Sequence, residues 1–191
     1  MTLLNPVQQG EKRIKSDYYV EGYATTFNEP YVLYEYDGVQ YKETIDRAAL
    51  EGADMSDIIF LYDHEGNVLA RASNGTLIVE PDDHGLFVAA DLSKSAAARN
   101  MYEEIQNGLV NKMSWAFRVR EDSYDRTTHT RTIKRMQKVF DVSAVSRPAN
   151  PSTDISARSY FDGVIEAEKA ERLAAEAAER KKKKIKILLE V

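Results

Sequence analysis

The sequence contains no cysteine. That excludes disulfides, thiolate nucleophiles and cysteine-ligated zinc together. No run approaches the ~18 consecutive apolar residues of a membrane-spanning helix, so no membrane contact is expected. The opening Met1-Thr2-Leu3-Leu4-Asn5-Pro6 lacks the basic-then-apolar layout of a signal peptide. There is no phosphate-cradling glycine loop and no dinucleotide fingerprint. An excess of positive charge is missing too. The formal net charge of −5 over 191 residues argues for solubility and against a nucleic-acid footprint. These absences give the expectation of a soluble, intracellular protein with no cofactor and no metal.

What is present points to a packed β-rich core. Hydrophobic residues make up 43% of the chain, with eleven tyrosines and six phenylalanines, which is globular composition. The length allows one domain, or one domain with an appendage. Strand-like sequence begins at Tyr18-Tyr19-Val20. Residues 31–36 and 39–45 flank Asp37-Gly38, a strong hairpin signal. Residues 46–51 read as a short helix capped by Asp46 and stopped by Gly52. Residues 58–62 form an apolar run short enough for a buried strand. Asn74-Gly75 predicts a second hairpin, between 68–72 and 76–80. Asp82-Asp83-His84-Gly85 predicts a turn into 86–90. A helix is expected over 95–107, capped by Ser93 or Ser95 and ended by Gly108. The polar stretch 121–131 reads as a mobile hairpin loop, and 133–145 as a returning strand. About eight strands at short spacing, with one or two short helices, predict a mainly β (α+β) fold closed or nearly closed into a barrel.

The segment from Asn107 to Phe117 carries the sharpest chemical signal. Met113, Trp115, Phe117 and Val119 alternate with Ser114, Ala116, Arg118 and Arg120, so a period of two sets Ser114 opposite an apolar face. A serine nucleophile needs a base and a group that orients it. His64, after the apolar run in Leu61-Tyr62-Asp63-His64, is the candidate base. Asp141, in Val139-Phe140-Asp141-Val142-Ser143, is the candidate orienter. His84 and His129 compete for a place in the same site. A metal site from Asp63, His64, Asp83 and His84 lacks a supporting ligand spacing. Taken one at a time, each of these residues also fits an ordinary turn or surface role.

Taken in order, the motifs resemble the prohead (capsid maturation) protease family of tailed bacteriophages and prophages. The landmarks are Gly22-Tyr23-Ala24 with Phe27-Asn28, then Tyr41-Lys42-Glu43-Thr44-Ile45, then Leu61-Tyr62-Asp63-His64. Gly75-Thr76-Leu77 and Asp83-His84-Gly85-Leu86 follow. Met113-Ser114-Trp115-Ala116-Phe117, Phe140-Asp141-Val142-Ser143-Ala144-Val145 and Pro148-Ala149-Asn150-Pro151 close the series. The resemblance implies a serine endopeptidase with a β-barrel ringed by helices, like the herpesvirus assemblins. It implies Ser114 as nucleophile, His64 as base and Asp141 as third member, where many relatives carry glutamate. The herpesvirus enzymes use a second histidine there, which keeps His84 and His129 open. Trp115-Ala116 departs from the aromatic-then-glycine pair that often follows the serine. Arg147, after the last strand, is a candidate oxyanion contributor set against an ordinary surface role.

The expected organisation is a flexible arm over 1–16, the protease barrel over 17–158 and a charged helical tail over 159–191, for targeting or scaffold contact or else removable. Residues 166–180 are rich in Ala, Glu, Lys and Arg without Gly or Pro, and so predict a helix. The expected substrates are the scaffold or the scaffold-like arm of the major capsid protein, and the chain itself. The expected place is the host bacterial cytoplasm, inside the immature capsid. The assemblin likeness leaves a homodimer open. The competing reading is a non-enzymatic capsid-assembly protein on the same fold, with the tail contacting scaffold. The four lysines 181–184 form too small a patch to imply nucleic-acid binding.

Overall fold

The apolar alternation between Tyr19 and Val145 is spent on strands. The computed structural model describes residues 12–146 and 155–189. Arg147 and the Pro148-Ala149-Asn150-Pro151 motif lie outside the described residues, as do residues 1–11. The chain divides into two compact units, Met1–Asn150 and Pro151–Val191. The first contains, among its described residues, the strands β1 (Tyr19–Thr26), β2 (Tyr31–Tyr36), β3 (Val39–Ile45), β4 (Ile59–Tyr62), β5 (Glu65–Arg71), β6 (Leu77–Pro81), β7 (Gly85–Asp91), β8 (Lys112–Asp125) and β9 (Thr130–Val145). Helix α1 (Ala96–Gln106) and two 3-10 turns, Arg47–Leu50 and Ala72–Asn74, complete it.

β9 organises the larger sheet. β8 runs antiparallel along its whole length. On the other edge β3 pairs in parallel with residues 130–133, and β4 pairs in parallel with residues 141–144. β2 and β5 extend this sheet as hairpin partners of β3 and β4. The smaller sheet has the order β1-β7-β6, all antiparallel. The mainly β class with helices is as expected, but the barrel is not closed. The described strands form two sheets with no ladder joining them. They bury faces instead of closing edges. Val20, Leu86 and Val88 of the small sheet share one core with Ile45, Phe60, Met113, Ile133 and Val142 of the large one.

The local signals had mixed outcomes. Asp37-Gly38 joins β2 to β3 with both residues at positive φ, as a tight primed turn requires. Asp46 caps the first 3-10 turn by accepting from the Ala48 amide at 2.8 Å. Asn74-Gly75, however, is not a hairpin. β5 pairs with β4 and β6 with β7, so this corner carries the chain from one sheet to the other. A side-chain network closes it: Asn74 Oδ1 accepts from the Thr76 amide and hydroxyl, and Thr76 Oγ1 accepts from the Arg71 amide. Gly75 supplies the φ of 75° that the corner needs.

The expected loop 121–131 is also mostly strand, with only residues 126–129 in the turn. Glu121, Asp122 and Arg131 are paired within the sheet. Arg131, 9% exposed, donates to Asp122 at 2.7 Å and to Glu43 of β3 at 3.4 Å. Helix α1 follows its sequence closely. Ser95 caps it, Ala98, Met101 and Ile105 are buried, and Gly108 at φ 73° turns the chain towards β8.

Asp91, at the end of β7, is 5% exposed and ties three segments together. Its carboxylate accepts from Ser16 Oγ and the Ser93 amide and pairs with Lys94. Burial alone raises such a group's pKa, but the hydrogen bonds from Ser16 and Ser93 outweigh it and hold the carboxyl below its ordinary value. A pKa lower in the folded than in the unfolded chain adds stability that is complete above about pH 4. That stability is lost as pH falls through the folded value. Asp91→Asn is therefore expected to cost about 1–2 kcal/mol at neutral pH. In denaturation curves the gap to wild type should narrow steadily below about pH 4. A gap that stays constant into strong acid contradicts this account.

The second unit is a single described helix, α2 (Ile155–Leu189), which includes the 166–180 stretch read as helical. Its surface is charged, with Lys183 reaching Glu179 one turn back at 3.7 Å. Among the described residues no helix is long and apolar enough to cross a membrane.

Candidate active site

β4 and β5 are joined by a two-residue turn, Asp63-His64, with Tyr62 opposite Glu65. Both turn residues have positive φ, 46° and 62°. A primed hairpin turn needs this conformation, and it is usually supplied by Asn-Gly; Asp and His tolerate it better than most side chains. The turn is pinned to the end of β9. The Asp63 amide donates to the Ala144 carbonyl at 2.9 Å, and its two carboxylate oxygens accept from the Ser146 amide and hydroxyl, both at 3.0 Å. His64 thus projects from a strained but anchored corner. Asp63→Ala loses the Ser146 bonds and places a Cβ-bearing residue at positive φ without compensation. It is expected to destabilise the chain by about 1–2 kcal/mol in chemical denaturation. Asp63→Gly keeps the conformation cheaply and should stay within about 1 kcal/mol of wild type.

Asp141 and Ser143 lie two apart on β9 and so share one face of the sheet. Both are buried. His64 Nδ1 lies 2.6 Å from Asp141 Oδ1. Ser143 Oγ donates to the same Oδ1 at 2.8 Å and lies 3.2 Å from Nδ1. A carboxylate only accepts, so in a neutral His64 this contact favours the proton on Nδ1, facing Asp141, and the lone pair on Nε2. That is the tautomer a general base requires.

Ser114 is the third residue of β8 and stands directly opposite Ser143 in the antiparallel ladder. Opposed residues point to the same face, with Cα atoms about 4.5–5.5 Å apart. Ser114 therefore belongs to the face on which His64, Asp141 and Ser143 meet. Its apolar neighbours turn the other way, as the alternation predicts. Met113 is buried, and Trp115 and Phe117 pack on the core with ring centroids 4.4 Å apart. Of the two serines, Ser143 is 0% exposed and its hydroxyl is committed to Asp141, whereas Ser114 is only half-buried. Of the two hydroxyls, that of Ser114 is the one on a side chain with surface open to solvent.

The competing histidines are elsewhere. His84 lies in the β6–β7 turn of the small sheet, exposed, with its ring 4.6 Å from that of Tyr23 and its amide donating to Asp82. His129 lies in the β8–β9 turn, with Nδ1 2.9 Å from the Tyr124 hydroxyl. At ~3.3 Å per residue that turn is on the order of 35 Å from Asp141 along β9. Asp63 and His64 share one turn while Asp83 and His84 share another in the other sheet. No three such side chains converge as a metal-holding group among the described residues. A cleft of about 330 Å³ lies beside the His64 turn, between Tyr62, Glu65 and Leu69 on one side and Asn100, Met101 and Glu104 of α1 on the other.

The roles of two residues at this site escaped the sequence reading. Ser143 had a usable signal, because Asp-x-Ser at a strand's period of two sets both side chains on one face. Asp63 had none, since its part depends on Ser146, 83 residues away.

The profile of one family, described as caudovirus prohead serine protease, matches residues 7–165. The prohead protease of Enterobacteria phage HK97 is 31% identical over 84 residues, which is 44% of this chain and 37% of that protein. The match thus spans little more than a third of that relative's length. No solved structure matches. The family match spans the His64 turn, the Ser114 strand and Asp141, and on it the chain belongs to the caudovirus prohead serine protease family.

Proposed function

We propose that this chain is a serine endopeptidase of phage capsid maturation, with Ser114 as nucleophile, His64 as general base and Asp141 as the group that orients the base. The observation that carries this reading is the 2.6 Å contact from Asp141 to His64 Nδ1, on the sheet face that Ser114 shares. In the proposed reaction Ser114 Oγ attacks the scissile carbonyl carbon while its proton passes to His64 Nε2. The tetrahedral adduct collapses with cleavage of the C–N bond, and the leaving amine takes that proton from His64. Water then attacks the acyl-Ser114 ester, giving a proton to Nε2. Collapse releases the carboxylic acid and returns the proton to Ser114.

The proposed substrates are scaffold, or the scaffold-like arm of the major capsid protein, inside the immature capsid. The 159–191 segment is proposed to serve targeting or scaffold contact, or to be a removable segment. The test has two parts. A fluorophosphonate should label the chain at Ser114, as located by peptide mass mapping. Co-expression with its major capsid protein should yield capsid fragments by mass spectrometry with the wild-type chain and none with Ser114→Ala. Labelling at another serine overturns the assignment. Capsid chains of unchanged mass in both samples favour the non-enzymatic assembly reading.

A further inference from the structure

We infer that Ser143 is a positioning residue for this site, holding the Asp141 carboxylate where His64 needs it; the inference rests on the catalytic reading above. Ser143 is 0% exposed in a stretch of β9 otherwise filled by Val142, Ala144 and Val145. Packing alone is satisfied there by alanine. A buried hydroxyl costs free energy unless it is hydrogen-bonded. This one is spent entirely on the site: it donates to Asp141 Oδ1 at 2.8 Å and lies 3.2 Å from His64 Nδ1.

The register explains what the bond does. Asp141 sits opposite Ala116, two pairs further along the ladder from Ser114, while Ser143 sits at the level of Ser114 itself. A carboxylate standing straight off the sheet at 141 would lie about two residues from the nucleophile along the strand, roughly 6–7 Å. The Ser143 hydroxyl draws Asp141 Oδ1 along the strand towards the level of Ser114. The His64 ring then meets the carboxylate on Nδ1 while Nε2 remains available to Ser114. Two donors converge on one oxygen, which fixes the carboxylate's rotation as well as its reach. Ser143 touches neither substrate nor the reacting atoms and acts through Asp141 and His64.

Ser143→Ala in the full chain is expected to fold and to lower kcat about 10- to 100-fold with KM unchanged, the scale of a modest misplacement of a catalytic group. In an Asp141→Asn background the same substitution should cost almost nothing more, since its route of action is already broken. A structural role predicts the same fold-loss in both backgrounds. The second readout does not require turnover. In the Ser114→Ala chain, the downfield proton resonance of His64 Nδ1–H should shift or broaden when Ser143→Ala is added. If Ser143→Ala does not fold, Ser143→Cys fills the site with a weaker donor and carries the same measurements. Wild-type kcat with an unmoved resonance overturns the inference, and so does an equal loss in both backgrounds. If Ser114→Ala itself retains turnover, the catalytic reading fails first. The resonance then still reports whether Ser143 positions the His64–Asp141 pair.

Discussion

Ser114→Ala is expected to melt like the wild-type chain and to hydrolyse a peptide substrate about 10⁵- to 10⁶-fold more slowly. The two halves of this expectation come from the two faces of β8. The core is served by Met113, with Trp115 and Phe117 packed against it, and none of these loses a contact when the half-buried Ser114 hydroxyl is removed. A substitution of this kind away from the packed face usually changes stability by less than about 0.5 kcal/mol. The rate loss has a different origin. Without the hydroxyl no acyl intermediate forms, and His64 has no proton to take from a nucleophile held opposite Ser143. What survives is the modest acceleration from binding and polarising the peptide bond. Thermal unfolding and peptide hydrolysis on the same preparation check both halves. Retained turnover means that another group attacks, and a melting temperature lowered by more than a few degrees means that Ser114 has a structural duty as well.

The fold and the site differ in how much of each is legible in the sequence. Helix α1 is readable from Ser95, the apolar stripe and Gly108 because every determinant lies within fourteen residues. The two hairpin signals are locally equivalent and part company for non-local reasons. Asp37-Gly38 closes a hairpin between β2 and β3, which pair with each other. At Asn74-Gly75 the flanking strands find other partners, β4 and β7. The polar strands around 121–131 look like loop because the charges obscure the alternation; Arg131 is at home in the sheet only because Glu43 waits 88 residues earlier.

For the site, the residue types are legible one by one, but their meeting is not. His64 and Asp141 are 77 residues apart and come together because β4 runs parallel to the end of β9. No local pattern encodes that pairing. The Asp63-His64 turn lacks the glycine that marks most primed turns, so the hairpin that projects the base is silent in the sequence.

Asp141→Asn is the second large effect, with an expected loss of about 10⁴-fold in kcat. Asp141 Oδ1 accepts from both His64 Nδ1 and Ser143 Oγ, and a carboxylate serves both donors without conflict. An asparagine there has one oxygen and one amide nitrogen. If the nitrogen faces His64, it donates to Nδ1 and drives the imidazole proton to Nε2, where it points at Ser114 and removes the base. If the oxygen faces His64, the tautomer is kept, but no negative charge remains beside the imidazolium that forms as Ser114 attacks. Either way the loss falls on the chemical step, so KM should hardly change while fluorophosphonate labelling of Ser114 slows in parallel with kcat. This pattern separates Asp141 from its rivals. His84→Ala and His129→Ala act in turns of the small sheet and at the far end of β9, and they should leave kcat within a few-fold of wild type. An Asp141→Asn chain that retains turnover within tenfold shows that the 2.6 Å contact orients nothing the reaction needs, and that the Ser114–His64 pair works without a third member.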